Sequence, residues 1–130
     1  MIGLDTNVLV RYITQDDARQ AERARALIEQ ADGGLFLSVV VLCELTWVLL
    51  GAYDAGKTEV IEVLEAILDV GAFEIEHRDA VRQALADYRA GRADFADYVI
   101  GRLTQAALGS ATVTFDRRLN GHPLFDVLGA

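Results

Sequence analysis

Short apolar runs of strand length alternate along this chain with longer stretches of helical periodicity, and that alternation leaves few folds open. MIGLD, LFL, FEIE and ATVTFD read as strands, and PLFDVL adds a fifth at the end. Between them lie TNVLVRYI, DDARQAERARALIEQA, VVVLCELTWVLL, KTEVIEVLEAILDVG, RDAVRQALADYRA and ADFADYVIGRLTQAALG, each with helical spacing of its apolar residues. Strands separated by helices are joined by crossovers, which run the strands parallel and lay the helices on the sheet. The expectation is an α/β sandwich with a mainly parallel sheet. Ligand sites in such folds lie outside the carboxyl ends of the strands.

Local signals set the element ends. Asp5 or Thr6 is placed to cap the first helix, Ser38 the third and Asp94 the helix of DFADYVIG. The second helix turns Ala21, Ala24, Leu27, Ile28 and Ala31 inward, and Gly33-Gly34 stops it. VVVLCELTWVLL is long for a strand and puts Leu42, Leu45, Val48 and Leu49 on one face, so it reads as helix. Gly51 then falls where a helix C-terminus favours glycine, with Gly56 in the following turn. Val60, Val63, Leu64, Ile67 and Leu68 form the inward face of the next helix.

At 130 residues, one domain spanning 1–130 is expected, with no internal repeat or low-complexity linker. A hydrophobic share of 52% with a single proline excludes wholesale disorder. The longest apolar run is broken by Glu44 and Thr46, so no membrane span is expected, and MIGLD carries no secretory pattern. The lone Cys43 forms no internal disulfide, which makes the cytoplasm the expected compartment. A net charge of -8 argues against non-specific affinity for nucleic acid. Eleven of the twelve cations are arginine, the better bidentate partner for phosphate and carboxylate, and Lys57 is the one lysine.

GAYDAGKT, Gly51 to Thr58, matches the phosphate-binding pattern G-x-x-x-x-G-K-[ST], so a nucleotide-binding protein is one alternative. That reading needs a strand before the loop and a helix from Lys57. If VVVLCELTWVLL is helical, the strand is missing and the segment is a turn between helices. Asp54 would also bring negative charge into a loop meant to cradle phosphate.

The stronger signal is a set of acids, each out of keeping with its surroundings. Asp5 and Asp116 end apolar strands, Glu44 interrupts the most hydrophobic helix, and Asp97 lies in FADYVI, three residues after Asp94. A carboxylate in an apolar run needs a partner. The few cations are mostly distant from these acids in sequence, which favours a bound metal. Like charges about 5 Å apart repel by roughly 3 kcal/mol at an effective dielectric near 20. A divalent ion relieves this, and Mg²⁺ or Mn²⁺ suits an oxygen-only site. Helix capping by Asp5, Asp94 and Asp116, and an arginine pair for Glu44, are the structural alternatives.

IGLDTNVLV, SVVVLCELTWVL, DFADYVIG and VTFDRRL occur in an order and spacing that resembles the PIN-domain family, and more closely the VapC-type toxins of bacterial toxin-antitoxin pairs. The resemblance covers essentially the whole chain. It implies a PIN-like three-layer sandwich with a short, mainly parallel central sheet flanked by helices. It also implies that Asp5, Glu44, Asp97 and Asp116 bind Mg²⁺ or Mn²⁺, with Asp94 an additional acid and Thr6, Asn7 and Thr114 supporting polar positions. The implied activity is metal-dependent hydrolysis of RNA, and the implied partners are a small VapB-like antitoxin and a second copy of the chain. Arg11, Arg117 and Arg118 lie near Asp5 or Asp116 in sequence and are candidate contacts for RNA phosphates.

Other chemistries fit less well. A phosphotransfer site built on Asp5 lacks both a second aspartate at position 7, where Asn7 stands, and a suitably placed lysine. His77 and His122 form no serine-histidine-acid order. Cys43 reads as a packed thiol, and Tyr12, Trp47, Tyr53 and Tyr98 as packing residues with base stacking as the alternative. A non-catalytic PIN-like binding module remains the non-enzymatic alternative, and loss of acids would mark it.

Overall fold

The computed structural model describes residues 1–129. Among them the order is β1 (Ile2–Gly3), α1 (Thr6–Thr14), α2 (Ala18–Gln30), β2 (Leu35–Leu37), α3 (Val39–Gly51), α4 (Lys57–Asp69), β3 (Phe73–Ile75), α5 (Arg78–Ala90), α6 (Phe95–Leu108), β4 (Thr112–Thr114), a 3-10 turn (Arg117–Leu119) and β5 (Phe125–Val127). Two compact units divide the chain, Met1–Glu76 and a second beginning at His77.

The first unit holds a parallel sheet of order β1-β2-β3, in register Ile2 with Leu35, Gly3 with Phe36, and Leu35 with Phe73. Each crossover is a pair of helices, α1–α2 and then α3–α4. Leu35 and Leu37 alternate with Phe36 along β2, and both leucines are fully buried. Leu9, Val10, Leu42, Leu45, Val60 and Leu64 belong to the same unit's buried set. Ser38 caps α3 as expected, its hydroxyl accepting from the Val41 N–H at 3.2 Å. On α2, Ala21, Ala24 and Ile28 are buried, whereas Leu27, expected inward, is 40% exposed.

GAYDAGKT joins α3 to α4, with no strand before it. α3 ends at Gly51 with Ala52 at its C-cap, and the left-handed residue of the turn is Asp54 (φ 51°). The Ala52 and Ala55 N–H groups donate to Val48 and Leu49 carbonyls at 2.9 Å, so the helix end has already taken donors that a phosphate cradle would need. Gly56 caps α4, and Lys57 is that helix's first residue.

The second unit pairs β4 with β5 in parallel, Thr112 opposite Phe125 and Thr114 opposite Val127, and packs α5 against α6. The expected parallel strands are thus present, in two short sheets. Gly101 on α6 lies so close to Phe125 that an added Cβ would stand 2.5 Å from the ring. Asp87 of α5 accepts two hydrogen bonds from Arg102 of α6, at 2.7 and 2.8 Å, and meets His122 Nε2 at 3.3 Å. His122 Nδ1 accepts from the Leu124 N–H at 3.1 Å, leaving Nε2 as the side facing Asp87. No helix among the described residues is long and apolar enough to cross a membrane.

Candidate functional site

In the first unit β1 ends at Gly3, and Leu4 carries the chain to Asp5 at the head of α1. Asp5 holds the N-cap position, and its main-chain carbonyl accepts from Val8 and Leu9, but its carboxylate makes no capping hydrogen bond. An acid placed as a cap and not used as one is available for other work. Thr6 is buried, and its hydroxyl donates to Glu44 Oε1 at 2.9 Å, tying α1 to the middle of α3. The glutamate that breaks the apolar run of α3 is therefore held by a buried threonine, with no arginine pair among the described residues.

Asn7 is exposed and lines a cavity of about 300 Å³ between α1 and α2, together with Val8, Arg11, Gln20, Arg23, Ala24 and Leu27. The Arg11 guanidinium is engaged there: Nε donates to Gln20 at 2.6 Å, and Nη1 donates to Asp16 and Tyr53, each at 3.1 Å. Tyr53 donates in turn to Asp16 at 2.5 Å, which helps hold that carboxyl below its ordinary value. Sequence reading missed this network, because Tyr53 lies far along the chain from Asp16. Cys43 is partly buried, and burial pushes its thiol up to about 11, as a packed thiol would behave and a nucleophile would not.

The second unit brings three acids around one cation. Asp94 is the N-cap residue of α6, and Asp97 in the first turn accepts the Asp94 N–H at 3.0 Å. Asp116 follows β4 and caps the 3-10 turn by accepting the Arg118 N–H at 2.9 Å. Thr114 Oγ1 accepts the Asp116 N–H at 3.1 Å, fixing the corner at which the strand leaves the sheet. Arg118 folds back over this corner. Its Nη2 lies 2.7 Å from Asp116 and 3.6 Å from Asp97, and its Nη1 lies 3.6 Å from Asp94.

The acids respond unequally. Burial lifts the Asp97 carboxyl above its ordinary value, and the charges of Asp94 and Asp116 add to the lift against the Asp94 N–H and Arg118. Hydrogen bonds from Arg118, first through its side chain and then its backbone, hold Asp116 below the ordinary value. Arg118 is stabilised in its charged form, chiefly by the same bond to Asp116.

Arg118, a candidate contact for RNA phosphate from its position in the sequence, meets the second unit's acids in the metal-free structure. A 3-10 turn folds Arg118 back on Asp116, and the side chain reaches α6 as well. Arg117 is exposed. Hard carboxylate oxygens are suitable donors for Mg²⁺ or Mn²⁺. As they stand, however, no three His, Cys, Asp or Glu side chains among the described residues are grouped to hold an ion.

A family model described as the PIN domain matches residues 2–122, a span that includes all five acids. No curated protein matches the chain. PIN domains are typically nucleases that act on nucleic acid with divalent metals such as Mg²⁺ or Mn²⁺. From the parallel strands, the acids at their ends and a match over most of its length, the chain belongs to the PIN-domain family.

Proposed function

We propose that the chain is a metal-dependent endoribonuclease that serves as the toxin of a toxin-antitoxin pair. Asp5, Glu44, Asp97 and Asp116 are its ligands for Mg²⁺ or Mn²⁺, and Asp94 is an additional acid at the same site. The observation that carries this reading is the gathering of Asp94, Asp97 and Asp116 on one cation, in a chain whose family typically cleaves nucleic acid with metal. When bound, a divalent ion supplies an acidified water and charge neutralisation at phosphorus. The chain's own part is to orient donors: Thr6 aims Glu44, Thr114 pins the backbone at Asp116, and the helix start fixes Asp97. A carboxylate of the set is the general base that receives the proton of the attacking water.

Under this reading 1–130 is one domain, works in the cytoplasm as a homodimer, and is silenced by a small VapB-like antitoxin. A net charge of -8 suits a partner with basic residues. Arg11, Arg117 and Arg118 are the candidates for phosphate contact, Arg11 through the cavity that it lines. The deciding experiment is cleavage of single-stranded RNA by purified protein, before and after EDTA and after Mn²⁺ is restored. Loss with EDTA and recovery with Mn²⁺ are expected, together with a rise in melting temperature on adding the ion. Cleavage that survives thorough chelation would falsify the mechanism. Full activity in Asp97→Asn would reject Asp97 as a ligand, whereas a wild-type chain that binds RNA without cutting it would be a binding module.

A further inference from the structure

We infer that Arg118 is a built-in counter-cation of the acidic site, which competes with the divalent ion and so sets the site's metal affinity. The inference rests on the metal-site reading above and adds to it a residue that tunes binding.

A plain surface ion pair would engage one acid. Arg118 engages three, from different parts of the unit: Asp94 at the cap of α6, Asp97 in its first turn, and Asp116 at the cap of the 3-10 turn. Contact with Asp116 is made through two nitrogens, Nε at 3.1 and 3.2 Å and Nη2 at 2.7 Å. That forked geometry is available to arginine and not to lysine. The neighbouring Arg117 carries the same charge at nearly the same place in the chain and has no such contacts among those described. Position in sequence therefore does not explain the arrangement; the fold of the turn does.

The charges make the arrangement a poised one. One guanidinium neutralises only part of the three carboxylates, so the cluster still attracts a cation of higher charge. A guanidinium does not lose its proton in the working pH range, so only departure of the side chain frees the acids. Departure is feasible because the Arg118 side chain is 46% exposed. In the metal-free protein Arg118 thus relieves repulsion between Asp94, Asp97 and Asp116. Metal binding has to displace it, and apparent affinity falls by the fraction of molecules in which the acids are free.

Isothermal titration with Mn²⁺ at fixed pH and salt, on wild type, Arg118→Ala, Arg118→Lys and Arg117→Ala, tests this. If the acids are free in about a tenth of molecules, Arg118→Ala should bind Mn²⁺ about tenfold more tightly than wild type. Arg118→Lys should fall between, and Arg117→Ala should change affinity far less. Without metal, Arg118→Ala should melt below wild type, and saturating Mn²⁺ should narrow the gap. Equal or weaker Mn²⁺ binding by Arg118→Ala, with wild type binding the ion, overturns the inference and leaves the metal site standing. A tightening as large in Arg117→Ala also overturns it, since general charge would then explain the effect. Should Arg118→Ala not fold, Arg118→Lys decides by the same sign. If no protein in the series binds Mn²⁺, the metal-site reading falls and the inference falls with it.

Discussion

Asp97 and Asp116 face the same guanidinium and yet shift in opposite directions, because burial governs one and hydrogen bonding the other. For Asp97 the folded value lies above the unfolded 3.8, so the folded state holds that proton more tightly. Its contribution to stability is present below the unfolded value and is lost as pH rises through the raised one. Asp116 behaves in reverse: its contribution is present above 3.8 and is lost as pH falls through the lowered value. Asp97→Asn should therefore raise the metal-free melting temperature at neutral pH, the gain fading as the solution is taken into acid, while RNA cleavage is lost. The asparagine carbonyl can still accept the Asp94 N–H, so the helix start survives. Asp116→Asn should instead lower the metal-free melting temperature at neutral pH, because it takes the charge from the fork with Arg118. Melting curves of both variants across pH check the two signs, and a fall for Asp97→Asn would recast that residue as a cap. Asp97 was legible in the sequence because it broke an apolar pattern; its environment was not, since burial and the reach of Arg118 come from other elements.

At the scale of elements, α3 carries Glu44 and α6 carries Asp97, and each helix is set by a local contact that can be cut. Ser38→Ala removes the side-chain acceptor for the Val41 N–H and should cost about 1 kcal/mol. Gly101→Ala pushes a methyl group into the Phe125 ring and should cost about 1–3 kcal/mol, loosening the helix that holds Asp97. Chemical denaturation measures both. The turn from α3 to α4 offers a sharper test, since its sequence spells a phosphate-binding loop. Lys57→Ala should leave RNA cleavage within a few-fold of wild type, and millimolar Mg·ATP should give no thermal shift. A working loop would stabilise the fold by about 2.7 kcal/mol at a hundred times its dissociation constant, and a shift abolished by Lys57→Ala would restore the nucleotide reading. Helix type and order were readable from spacing. The placement of the left-handed residue at Asp54, three residues past the end of α3, was not.

For the molecule as a whole, the net charge of -8 opposes the approach of RNA. Like charges are screened by salt, so added monovalent salt should speed capture of a short RNA or leave it unchanged. A basic nuclease would lose affinity steeply over the same range. Cleavage measured at limiting substrate, with the divalent ion held saturating, makes the comparison. A steep fall with salt would mean that a local arginine surface, and not the net charge, governs encounter.

The sequence alone determined the order and type of the elements, since apolar spacing is a local property that survives without knowledge of neighbours. It also marked Asp5, Glu44, Asp94, Asp97 and Asp116, because an acid in an apolar run or at a strand end is out of place whatever surrounds it. Tertiary structure alone decided the partnerships: Thr6 with Glu44 across 38 positions, and Arg118 with Asp94 and Asp97 from the far side of β4. These depend on where two helices and a turn bring side chains to within hydrogen-bonding reach. Spacing along the chain carries no record of that distance.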